Sequence, residues 1–109
     1  MMNDLTITYE ITASVAHDLC TEYERYMIER HIPDLIWTGA FEGVTLSRSK
    51  PGRYRIRYEA RGREALDQYL KQYADRLRQH FKETFPSGIE LSREEWENLR
   101  TWPQYSHLV

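Results

Sequence analysis

The run Tyr26-Met27-Ile28-Glu29-Arg30-His31-Ile32-Pro33-Asp34-Leu35-Ile36-Trp37-Thr38-Gly39-Ala40-Phe41 decides the fold, because it passes from helix to strand through a proline and a glycine. Pro33 disfavours the helical conformation at the residue before it, so a helix arriving from the N-terminal side is expected to stop near His31. Proline suits the first position of a helical turn, so a second, short turn is expected to start at Pro33. Gly39 can take the left-handed conformation that closes such a turn, and Ala40-Phe41 then leads into a strand. Helix, kink, turn and strand would bring His31, Asp34 and Trp37 close together.

On the N-terminal side of this run, Leu5, Ile7, Tyr9 and Ile11 alternate with Thr6, Thr8, Glu10 and Thr12, which predicts a strand over 5–12 with one face in the core. Ser14 is expected to cap the first helix, along which Val15, Leu19, Tyr23, Tyr26, Met27 and Arg30 recur at helical spacing. On the C-terminal side, a strand is expected from Phe41 to Arg48 with Val44 and Leu46 inward. Ser49-Lys50-Pro51-Gly52 then puts Pro and Gly at the central positions of a type II turn. In the third strand Tyr54, Ile56, Tyr58 and Ala60 alternate with Arg53, Arg55, Arg57, Glu59 and Arg61. From Arg63 to about Thr84 an apolar stripe predicts one helix of about six turns, ended by Pro86-Ser87-Gly88. Two readings meet after Ile89. Ser92-Arg93-Glu94-Glu95 has the form of a capping box, whereas the β-α-β-β-α order leaves one sheet position to fill; a strand from Ile89 is preferred. The tail from Trp102 to Val109 is aromatic and apolar and is expected to dock on a surface.

These elements predict an α+β, ferredoxin-like βαββαβ fold: a four-stranded antiparallel sheet, two helices on one face, and the first and third strands adjacent in the middle. The other face would carry Thr6, Thr8, Glu10, Thr12 and the Arg53–Arg61 polar set. Water alone can solvate such a face. Binding of RNA is disfavoured, because sheet-based RNA modules stack bases on exposed aromatics, and here Tyr54 and Tyr58 share the face of Ile56. The remaining use is dimerisation, with two sheets enclosing a polar, arginine-bearing space.

Composition narrows the partners. A chain of 109 residues is expected to form one domain, 1–109. Fifteen basic and seventeen acidic residues leave a formal charge of -2, which gives no whole-molecule field for nucleic acid or an anionic membrane. Cys20 is the single cysteine; it excludes an internal disulfide and a thiolate zinc cluster, reads as a buried small apolar residue, and suits a reducing compartment. No apolar run approaches the ~18 residues that a membrane span needs, so no membrane partner and a cytoplasmic location are expected.

Over residues 26–41, and again from Tyr69 to Phe85, the sequence resembles a small family of uncharacterised bacterial proteins, domain-of-unknown-function family 4286, placed in the dimeric α/β-barrel superfamily. The resemblance is carried by His31-Ile32-Pro33-Asp34, by the Thr38-Gly39 step before an aromatic, and by a second helix with Tyr69-Leu70, Ala74 ahead of Leu77-Arg78, and an aromatic at its break. The strands at 5–12 and 53–60 match in place and pattern, so nearly the whole chain is covered. Where that family ends in a fourth strand, this chain has the acidic Ser92–Glu97 run and a longer aromatic tail. The resemblance implies the ferredoxin-like fold and a homodimer. Relatives in the wider superfamily include cofactor-free monooxygenases, haem-degrading enzymes, isomerases and proteins of no known activity, so it implies no single reaction.

His31 is the candidate for chemistry: an imidazole beside a sheet can exchange protons near neutral pH, and Asp34 can orient it. The alternative is a helix-end histidine whose partial positive charge suits the C-terminal dipole. Trp37 can wall a pocket, and Glu10 with Arg55 or Arg57 can bind a small acid on the sheet face. No histidine stands at ligand spacing with another, so no metal is expected. There is no Gly-rich phosphate loop and no G-x-S-x-G. No cofactor is expected; haem is the one group a lone histidine suffices to hold. The sequence thus predicts a homodimeric cofactor-free enzyme or binder of a small molecule. The alternative is a non-catalytic protein-interaction or structural dimerisation module. An enclosed cleft around His31, Trp37 and the sheet arginines favours the first, and a filled, salt-bridged seam the second.

Overall fold

A computed structural model of the chain describes residues 5–102. Its elements are β1 (Ile7–Val15), α1 (Cys20–Tyr26), α2 (Ile32–Trp37), β2 (Phe41–Lys50), β3 (Arg53–Ala60), α3 (Arg63–Gln72), α4 (Ala74–Thr84) and β4 (Ile89–Glu97). The strands form one four-stranded antiparallel sheet in the order β2-β3-β1-β4, with the helices packed on one face, which is the expected ferredoxin-like arrangement. Ile11 of β1 lies opposite Ile56 of β3 and Arg93 of β4, so these three and the residues two positions away along each strand share the helix side. There Ile7, Tyr9, Ala13 and Val15 join Tyr54, Ile56, Tyr58 and Ala60 in the core, while Arg55 and Arg57 project from the far face, as the alternation requires.

The β2–β3 connection is the expected Pro51-Gly52 turn. Gly52 has φ +83°, its carbonyl accepts the Val15 N–H at 2.8 Å, and a Cβ there would meet the Val15 carbonyl oxygen at 2.8 Å. The end of the chain settles as a strand. Ser92 pairs with Thr12 of β1, and the two hydroxyls are hydrogen-bonded. The capping-box reading of Ser92–Glu95 is therefore corrected: a helix there would strip the outer edge of β1 of a whole ladder of backbone hydrogen bonds.

Other local expectations also change. β1 starts at Ile7 and Leu5 is 37% exposed, so Leu5 is not core. Ser14 stays within β1 and caps nothing. The chain turns through a single 3-10 turn at His17–Leu19 before α1 begins at Cys20, and Val15 is buried as a strand residue. The helix expected over 63–84 is two, α3 and α4, which meet at Tyr73 with φ -125° and ψ -30°. Backbone bonds from Tyr73 N–H to Tyr69 and from Leu77 N–H to Tyr73 continue across the junction, so it is a bend rather than a break. The bend gives the innermost position to Ala74, fully buried, and leaves Tyr73 half-buried with the Arg76 guanidinium over its ring at 5.9 Å. The expected docking of the tail falls, from Pro103 onward, outside the described residues; Trp102 itself is 74% exposed.

The helix arriving at His31 does not stop there. A π-helical turn over Met27–His31 joins α1 to α2, and Ile32 keeps helical angles (φ -65°, ψ -45°) although a proline follows it. The physical reason lies in what Pro33 lacks. Its nitrogen has no proton, and its ring crowds the carbonyl four residues back. A wider turn, in which the Ile32 N–H bonds to the Met27 carbonyl, moves that carbonyl aside and lets the helix run on to Trp37. Gly39, at φ +78°, then closes it as expected, its N–H bonded to the Ile36 carbonyl at 3.0 Å.

Candidate functional site

The π-turn sets which side chains face the sheet. In an unbroken α-helix each step of four residues drifts ~40° around the axis. One wider turn takes that drift back. Tyr23, Met27, His31 and Leu35, each four apart, consequently stay on a single buried stripe. This stripe forms one wall of a cleft of 580 Å³ between the helices and the sheet. Its floor is Tyr9 and Ile11 of β1 with Ile56 and Tyr58 of β3; its other wall is α4, with Arg78, Phe81 and Lys82, and β4 closes the side with Leu91 and Arg93.

His31 is 9% exposed and lies between two aromatic rings, Tyr26 and Phe81, each at 5.7 Å between centroids. Burial pushes its pKa down to about 4, with Asp34 pulling weakly the other way and His80 adding to the fall. At neutral pH it is therefore an uncharged imidazole, and its Nδ1 is buried with no hydrogen-bond partner among the described residues. The hydroxyls of Tyr23 and Tyr58 share that condition, and burial raises the pKa of both phenols. Each of these three groups belongs to a cleft-lining residue. A neutral imidazole and protonated phenols can hold or polarise a carbonyl or hydroxyl of a ligand without placing a charge beside it.

The predicted site residues separate into two places. Only His31 of that set lines the cleft. Asp34 is tied to Arg30 at 3.3 Å on the helix surface, and Trp37 is 84% exposed, so the expected convergence of His31, Asp34 and Trp37 does not occur. The helix-end reading of His31 is corrected as well, since the helix continues past it and burial keeps it neutral. Glu10, Arg55 and Arg57 lie on the opposite face of the sheet, the Glu10 carboxylate 3.9 Å from Arg55 and 3.6 Å from Arg57. Around them Thr8, 1% exposed, donates to Glu59 and accepts from Asn98 at 3.1 Å, which makes that face a hydrogen-bonded polar seam. The sequence carries no signal for Tyr23 and Tyr58 as site groups: buried tyrosines normally find a partner for their hydroxyls, and that theirs do not is visible only in three dimensions. Among the described residues no three His, Cys, Asp or Glu side chains gather as metal ligands, and no helix is long and apolar enough to cross a membrane.

The sequence pattern of the family described as "Domain of unknown function (DUF4286)" matches residues 6–99. The chain belongs to this family. No curated protein matches the DUF4286 chain. Among solved structures it is similar to a dimeric ferredoxin-like protein from an uncultured marine organism, at 12% identity and a TM-score of 0.67 over 91% of this chain and 100% of that one. A protein from Shewanella oneidensis is similar at 17% identity and a TM-score of 0.58, covering 88% of this chain and 95% of that one. A conserved protein from Methanosarcina mazei Go1 matches at 13% identity and a TM-score of 0.56, over 83% and 91%. At these identities the likeness is one of fold.

Proposed function

We propose that this DUF4286 protein is a homodimeric, cytoplasmic domain that binds a small molecule in the helix–sheet cleft, as a cofactor-free enzyme or a binder. His31, Tyr23 and Tyr58 are its polar contacts. One observation carries the reading: the Tyr23 hydroxyl, His31 Nδ1 and the Tyr58 hydroxyl, all buried without a protein partner, belong to residues of the same cleft. A buried polar atom left unmade costs roughly 1–3 kcal/mol, and small domains keep few of them. A single ordered water takes ~30 Å³, whereas a cleft of 580 Å³ is in the range of small-molecule sites. The π-turn adds support, because such turns occur often at functional sites and this one presents His31.

The salt-bridged seam on the far face supports the homodimer, and with it the dimerisation role held as the alternative; the two roles use opposite faces. Native mass spectrometry of the purified protein tests the cleft. A small molecule retained by the wild type and lost from Y58F and H31F, both folded by circular dichroism, is the expected result. Retention by both variants, or a wild type that carries nothing and is stabilised by no member of a metabolite panel, would sink it.

A further inference from the structure

The mouth of the cleft carries a net positive charge. Arg78 and Lys82 reach it from α4 and Arg93 from β4, against one carboxylate, Asp75, with Gln79 beside it. Among the described residues none of these three cations stands within ion-pair distance of an acid, a condition they share with Arg25, Lys50, Arg53, Lys71, Arg76 and Arg100; what sets them apart is that they line the cleft. Arg78 is moreover held in place. It is half-buried, and its Nη2 donates to the Tyr9 hydroxyl at 2.8 Å, which fixes the guanidinium over the floor of the cleft rather than out in water. Arg93 faces the same space, since it lies opposite Ile11, which is on the helix side of the sheet. Both guanidiniums act on the Tyr69 phenol at the end of the cleft, each opposing the rise in pKa that burial causes there. Two arginines from different elements therefore converge on one mouth, and the interior behind them is apolar and aromatic with uncharged hydrogen-bonding groups.

Resting on the proposal that the cleft is a ligand site, we infer that its ligand is a small apolar or aromatic carboxylic acid. Its carboxylate meets Arg78 and Arg93 at the mouth, and its body lies on Ile11, Ile56 and Phe81, towards His31 and Tyr58. A planar guanidinium pairs best with a planar carboxylate, by two parallel hydrogen bonds, and a guanidinium that already has one fixed hydrogen bond loses less freedom on pairing. A neutral ligand of the same shape would leave the mouth cations unused.

The test is a fluorescence titration of the full-length protein with naphthylacetate and with its neutral amide, naphthylacetamide. The acid is expected to bind about tenfold or more tightly than the amide, a difference that shrinks with added salt. R93Q, an exposed site that should not disturb folding, should lose part of that preference, and R78Q with R93Q should lose nearly all of it while amide binding holds. Equal binding of acid and amide by the wild type overturns the carboxylate assignment and leaves the cleft standing as a site. Preference for the acid that survives in the double variant also overturns it, because the anion is then held elsewhere. Failure of both probes to bind, with no displacement of any retained molecule, overturns the cleft reading as well.

Discussion

Burial is the main cause that separates the protonation of His31 in the folded and unfolded chains, and this gives the residue a measurable signature. Its folded pKa, about 4, lies below the ordinary value of 6.5, so as pH falls the unfolded chain takes up the proton first. The associated stability is complete above about pH 6.5, declines between there and about 4, and is flat below, for a total on the order of 3 kcal/mol. H31Q, measured beside the wild type by urea denaturation from pH 7 to 4, should lack this part of the acid sensitivity. A helix-end histidine would have the opposite sign, with the imidazolium strengthening the helix as it forms. Identical pH dependence in the two proteins would show that His31 is not held neutral. The sequence pointed to this histidine through its position beside Pro33, but not to its burial, which depends on Tyr26 and on Phe81 from a helix fifty residues away. Arg78 and Arg93 were hidden for a similar reason. Surface arginines are common, and only the assembled fold shows which of them have acids nearby.

Among the elements, strand alternation was the most legible feature, because a period of two has few competing explanations. Tyr54, Ile56, Tyr58 and Ala60 all proved to be core. Helix phase was less legible. A proline inside a helical pattern signals a stop, and the π-turn that lets the chain continue leaves no mark in residue type. Its role can be tested by removing Glu29, an exposed residue of the turn. The shortened chain can form a regular helix, and at ~100° per residue Tyr23, Met27, His31 and Leu35 then still lie within about 60° of one another, so the sheet-facing stripe is kept without the wider turn. Leu35, 1% exposed in the native fold, should therefore stay buried, and the roughly 2–5 kcal/mol that displacing a core leucine costs should not be lost. A loss of that size in a denaturant titration would mean that the turn does not serve to offset one extra residue. The bend at Tyr73 was illegible for a related reason: the apolar stripe from Leu66 to Phe81 is continuous, and only contact with the sheet decides that Ala74 goes innermost.

For the molecule as a whole, the proposed dimer places a second copy on the polar face of the sheet, where Glu10 pairs with Arg55 and Arg57 and Thr8 with Glu59 within one chain. Sedimentation velocity should find a dimer at tens of micromolar, where an interface of standard size holds. E10R should shift the protein towards monomer by putting like charges beside Arg55 and Arg57. A wild-type monomer at that concentration would remove the dimer. The fold class and this polar face were legible from alternation, whereas the cleft was not, because a cavity belongs to the distance between layers and to no residue in particular. The strands meanwhile sort their residues in a way that outlasts any single site. In β1 the odd-numbered Tyr9 and Ile11 floor the cleft, and the even-numbered Thr8, Glu10 and Thr12 look towards the seam. β3 and β4 continue the same sorting across the sheet. Selection on what enters the cleft and selection on what covers the other face thus act on interleaved but separate sets of codons, and substitution in one set can proceed for a long time without disturbing the other.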